Sequence, residues 1–176
     1  DEKQANEILK YLAIEFQDRF VRNTPSNPGR SYKERPGVWE EFLKEDGKFH
    51  YTYSERIVPQ FRTVIERLRR DHDSRQGIIQ IFDALDTKDD SDGKHWCLGQ
   101  DQLNAGGVGR IPCSMYYQLM VRSGKLEMLY HMRSCDLLTH FIIDFILALN
   151  LQAYVAIELG CSIGKFTYFT GSLHAY

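Results

Sequence analysis

The run from Phe141 to Leu159, FIIDFILALNLQAYVAIEL, is the most apolar stretch of the chain and restricts its folding more than any other feature. By length it could cross a bilayer. Asp144, Asn150, Gln152 and Glu158 interrupt it, however, and polar side chains in a lipid-facing helix are costly. The run therefore predicts the end of a long helix, Leu137 to Leu159, buried in a protein core and not spanning a membrane. With 176 residues, 43% of them hydrophobic, one domain over residues 1–176 can build that core.

The remaining patterns supply the partners of this helix. Gly77 to Leu85, Ser114 to Arg122 and Lys125 to Arg133 read as strands, with Ser123-Gly124 suited to a tight hairpin, and Lys165 to Thr170 reads as a last strand. Glu2 to Arg22 predicts a helix from Ile8, Leu9, Leu12, Ile14, Phe16 and Phe20. A second helix runs from about Val58 to Arg70, with Pro59 in its first turn and Phe61, Val64, Ile65 and Leu68 on one face. Two breaker-rich segments, Asn23 to Gly37 and Asp86 to Arg110, read as loops. The expected architecture is α+β: a mostly β central sheet with the long helix packed on it.

Charge and cysteine usage exclude several function classes. Lys and Arg number 22 against 24 Asp and Glu, a formal −2, so no global basic field gathers nucleic acid and any phosphate site must be local. Cys97, Cys113, Cys135 and Cys161 form no C-x-x-C pair, which signals neither a zinc site nor a redox pair. Reduced thiols, a cytoplasmic location and no bound metal are expected. No targeting segment is visible, and a chain that starts at Asp1 and stops at Tyr176, just after a strand, is expected to lack terminal segments.

Taken alone, Cys113 is more readily a small inert hydrophobe than a nucleophile. Its surroundings change that reading. Arg110-Ile-Pro-Cys113-Ser-Met-Tyr-Tyr-Gln118 is followed by Arg133-Ser134-Cys-Asp136 and then by Gly171-Ser-Leu-His174-Ala-Tyr176. In this order the three motifs resemble the nucleophile, phosphate and sugar segments of the thymidylate synthase family. Upstream, Trp39, Tyr53 and Asp73-Ser-Arg75-Gln76 fall where that family carries a folate-facing tryptophan, a site tyrosine and a phosphate-binding arginine pair. The resemblance covers roughly Trp39 to Tyr176. It departs at Gln76, at Ser114 and in His140-Phe-Ile-Ile, where the family has a second arginine, often a histidine, and a glycine-x-proline-phenylalanine run.

The resemblance implies a thymidylate synthase-like fold, a nucleotide monophosphate and 5,10-methylenetetrahydrofolate as substrates, and a homodimer in which Arg75 crosses the interface. It implies Cys113 as nucleophile and an early glutamate as general acid/base, for which Glu15 is the candidate, with Tyr53 beside them. Arg133 and Arg75 offer forked donors to a phosphate dianion, with the Ser134 hydroxyl. His174 and Tyr176, two apart on an extended segment, share one side and can reach one sugar hydroxyl. Gln118, Asp136 and Asp144 are assigned to the base, and Trp39 to the folate.

Asp144 carries the substrate argument. It lies eight residues beyond Asp136, where thymidylate synthases carry asparagine. An asparagine amide matches the O4 and N3–H of uracil, whereas the N4 amino group of cytosine needs a partner that only accepts. A carboxylate does so, and inside this apolar run it also needs a partner of its own. Together with the Gly171-Ser-Leu-His174-x-Tyr176 ending, Asp144 resembles the cytidylate 5-hydroxymethylase branch. The expected activity is hydroxymethylation of dCMP, or of CMP. A methyl-forming synthase on uridylate or cytidylate, and a binding domain without turnover, remain open at this point.

Overall fold

The structure, a computed structural model, describes residues 2–49, 51–83 and 111–175. The loop expected over Asp86 to Arg110, and with it Cys97, lies outside the described residues, as does Tyr176. In chain order the helices are α1 (Glu2–Phe16), α2 (Ser31–Glu34), α3 (Pro36–Trp39), α4 (Tyr53–Arg70) and α5 (Phe141–Leu159). The strands are β1 (Gly77–Gln80), β2 (Ser114–Arg122), β3 (Lys125–Met132), β4 (Cys135–Asp136), β5 (Ser162–Thr170) and β6 (Leu173–His174).

Four strands form a mixed sheet in the order β1-β2-β3-β5, antiparallel except for the parallel pair β3 and β5. The β2–β3 hairpin turns on Ser123 (φ 51°) and Gly124 (φ 72°), the two left-handed residues that a tight two-residue turn requires. Parallel β3 and β5 need a crossover, and α5 provides it while packing on both. Tyr117, Leu119 and Val121 of β2 and Leu126, Met128, Tyr130 and Met132 of β3 are buried toward the helices. On the opposite face Ile78 and Phe169 stay exposed.

The apolar run folds as a single helix that is buried on one face only, with Ile142, Leu149 and Ile157 exposed on the other. Leu147, Leu151 and Val155 are fully buried and contribute roughly 2 kcal/mol each. Gln152, 1% exposed, donates to the carbonyl oxygens of Leu126 (2.8 Å) and Lys165 (3.2 Å), where the β3–β5 register shifts. Glu158 pairs with Arg69 at the surface. The helix begins at Phe141 and not at Leu137, because Asp136 Oδ1 accepts the N–H groups of Leu138 and Thr139 and holds residues 137–140 in turns.

Two expectations at the amino-terminal side are corrected. The stripe expected to pack the first helix does so only in part: Leu12 and Phe20 are buried and Phe16 packs on the core, but Ile8 and Leu9 are exposed and Tyr11 and Glu15 are buried with Leu12. Beyond Phe16 the chain widens into one π-helical turn, Gln17–Val21, closed by Arg22 N–H to the Gln17 carbonyl at 2.8 Å. That extra residue per turn breaks the ordinary period and buries Asp18, Arg19 and Phe20 consecutively. Helix α4 starts at Tyr53, with the Thr52 hydroxyl accepting Glu55 N–H, so Pro59 stands inside the helix and not in its first turn.

Candidate active site

The carboxyl edge of the sheet, α1 with its π turn, and the segment carrying α2 and α3 enclose a cavity of about 370 Å³. Cys113, Glu15, Tyr53, Asp144, Asp136, Arg133, Ser134 and Trp39, all expected from sequence, line it. That size suits one small ligand or part of a larger one.

At one end Cys113 sits just before β2, where the chain enters the sheet. Ser134 Oγ lies 3.8 Å and Arg133 Nη2 3.9 Å from its sulfur, both directed as donors. Arg133 is itself held by the carbonyl oxygens of Pro112 (3.0 Å) and Ile111 (2.9 Å), so β3 and the approach to β2 fix each other. Tyr53, the first residue of α4, turns its hydroxyl to accept Cys113 N–H at 3.1 Å. Nearby, Gly171 N–H donates to the Met132 carbonyl, and a Cβ at Gly171 would lie 2.9 Å from the Arg133 carbonyl oxygen. Only glycine fits that approach.

The opposite end is built from charge. Asp144, in the first turn of α5 and 8% exposed, accepts from Arg19 Nη1 at 2.7 Å. Arg19 Nη2 donates to Glu15, one turn earlier on the same helical segment. Burial opposes a charge on Arg19, but Glu15 and Asp144 outweigh it and raise its pKa above the ordinary arginine value. Glu15 is 3% exposed, and its Oε2 accepts no hydrogen bond among the described residues. Burial first, and then the Glu15 charge, push the Tyr11 phenol upward. Tyr53 stands between the two ends, its ring 5.2 Å from the Arg19 guanidinium carbon.

Trp39 closes a third side, its ring centroid 6.2 Å from that of Phe42 and 6.0 Å from that of Phe49. Asp136 keeps one oxygen on the turn after β4, and the backbone N–H of Thr139 holds its carboxyl below the ordinary range.

Three expected residues lie away from this cavity. His174 pairs with Asp136 across β6 and β4 without lining the cavity. Gln118 faces the other side of the sheet and donates to the Arg75 carbonyl at 3.1 Å. The bulge between Ser114 and Tyr116 sets this: Ser114 and Tyr117 both turn inward, so Gln118 turns out. Arg75 is exposed just ahead of β1. Sequence reading missed Arg19. The available signal was a glutamate and an arginine four apart, on the same stripe as Leu12.

The fold is that of the thymidylate synthases. The structure superimposes on the thermostable thymidylate synthase A of Bacillus subtilis with a TM-score of 0.72 at 18% identity, covering 95% of this chain and 57% of that one. The chain belongs to the thymidylate synthase family, whose profile matches residues 20–176. Glu15 and Arg19 stand just ahead of that match. A Methanocaldococcus jannaschii protein described as a "putative thymidylate synthase" is 26% identical over 129 residues, 73% of this chain and 52% of that protein. The chain thus spans about half the length of this curated relative.

Proposed function

We propose that this chain transfers a one-carbon unit from methylenetetrahydrofolate to C5 of a cytidylate, dCMP before CMP, and completes the transfer with water. The products are the 5-hydroxymethyl nucleotide and tetrahydrofolate. The observation that carries this reading is a buried, charge-paired carboxylate, Asp144, in the same cavity as Cys113.

In this reading the Cys113 thiolate adds to C6 of the ring, which makes C5 nucleophilic. Arg133 and Ser134 serve the phosphate from beside the sulfur, and Tyr53 fixes the backbone of the nucleophile. Asp144 accepts from the N4 amino group and from N3–H once the ring is protonated there, a charge-assisted pair that uracil does not match. Glu15, with a buried unpartnered oxygen, handles the protons lost and gained at the ring. The aromatic wall of Trp39, Phe42 and Phe49 fits the flat pterin of the folate. When bound, the folate supplies the methylene carbon. No cluster of three metal-ligating side chains occurs among the described residues.

A homodimer belongs to the same reading, with Arg75 contributed to the partner's phosphate site and His174 and Tyr176 to the sugar. Arg75 is exposed and bonded through its carbonyl to Gln118 on the sheet face turned away from the cavity, which suits a role in a neighbouring copy. The free thiols of Cys113, Cys135 and Cys161 suit a cytoplasmic protein.

The test is mass spectrometry of the products after incubating the protein with methylenetetrahydrofolate and a mixture of dCMP, CMP and dUMP. Hydroxymethylated cytidylate is the expected product. Thymidylate alone overturns the substrate assignment, a methylated cytidylate overturns the water step, and nucleotide binding without product means a binding domain.

A further inference from the structure

Glu15, Arg19 and Asp144 are each more than nine-tenths buried and touch one another. Taking an ion out of water costs several kcal/mol, which a buried arginine recovers only through well-placed partners. Here two carboxyl groups share one guanidinium on the cavity wall. Arg19 uses one nitrogen on one oxygen of each partner, Asp144 Oδ1 and Glu15 Oε1. The second oxygen of each, Asp144 Oδ2 and Glu15 Oε2, accepts no hydrogen bond among the described residues.

Resting on the cytidylate reading, we propose that Arg19 is the positioning residue of base recognition, holding Asp144 so that its unpartnered oxygen meets the exocyclic amino group of the ring. Arg19 touches neither the ring nor the reacting carbon in this role. It works by being a donor and nothing else: whatever oxygen it holds must accept. A planar fork bonded at both arms fixes the rotation of the carboxylate, which a lysine ammonium cannot do.

The consequence is directional. In Asp144→Asn the amide oxygen must stay on Arg19, so the amide nitrogen turns toward the C4 substituent. There it donates to O4 of uracil and opposes the amino group of cytosine. With Arg19 present the substitution inverts base choice; without the clamp the amide turns freely and reads both bases.

The experiment measures kcat/KM for dCMP and dUMP, with thermal midpoints, on the whole chain carrying Arg19→Lys, Asp144→Asn or both. Arg19→Lys is expected to lower the dCMP to dUMP ratio by about tenfold, the scale of one misdirected charged hydrogen bond. Asp144→Asn alone is expected to favour dUMP, and the double variant to show little preference, a non-additive pair. If Arg19→Lys slows both substrates alike and leaves the ratio unchanged, the residue is structural and the proposal falls while the cytidylate reading stands. If Arg19→Lys does not fold, Asp144→Asn decides alone: equal use of the two bases overturns the clamp. Wild-type protein that uses dUMP and not dCMP overturns both.

Discussion

The two ends of the cavity are held by different physics. The thiol end is local: Cys113 enters one strand of a hairpin, Arg133 and Ser134 leave the other, and backbone carbonyls fix the arginine. The carboxylate end is long-range, three ions from two helical segments that keep one another from being stranded in a low-dielectric wall. Chemistry and stability should therefore separate at the first end and coincide at the second.

The largest expected effect tests the first half of that contrast. Cys113→Ala should lower tritium release from C5-labelled dCMP on the order of 10⁴-fold or more, as removal of a nucleophile does. Its thermal midpoint should move little, since the thiol is half-buried at the margin of the core and alanine leaves only a small gap there. Turnover near the wild-type rate would remove Cys113 from the mechanism.

Asp144→Ala should show the coupling at the other end. It strands part of the Arg19 charge, and breaking a buried pair costs about 3–5 kcal/mol. Urea denaturation should register this loss together with the loss of dCMP turnover. A variant as stable as the wild type would mean that water reaches Arg19 and that the site is wetter than its burial indicates. The smallest effect belongs to Tyr53→Phe, which spans both ends. Losing the hydroxyl that accepts Cys113 N–H at 3.1 Å and Ser114 N–H at 3.4 Å should cost about 1 kcal/mol of stability, with KM changing less than kcat. An unchanged kcat would show that the hairpin positions Cys113 unaided.

The same contrast explains what the sequence disclosed. The apolar run, the Ser123-Gly124 turn and the motifs around Cys113 and Arg133 are contiguous, so local patterning reports them. The need of Asp144 for a partner was also legible, because a lone carboxylate in FIIDFIL is too costly. The identity of that partner was not. A π turn at Gln17–Val21 breaks the helical period where Arg19 lies, and a glutamate-arginine pair four apart reads equally well as a solvated helix face. The exposed Ile8 and Leu9 misdirected the burial of α1 for the same reason: apolar character was counted, whereas the buried stripe is partly ionic. Gln118 eluded the motif because a bulge reset the alternation of β2.

The bond between Arg19 and Asp144 joins residues 125 apart in the chain. Closing so long a loop is entropically unfavourable until most of the intervening structure exists, whereas the β2–β3 hairpin closes over two residues. By loop length alone, the hairpin beside the thiol is expected to form before the Arg19–Asp144 bond, so amide protection during refolding should appear on β2 and β3 ahead of the first turn of α5.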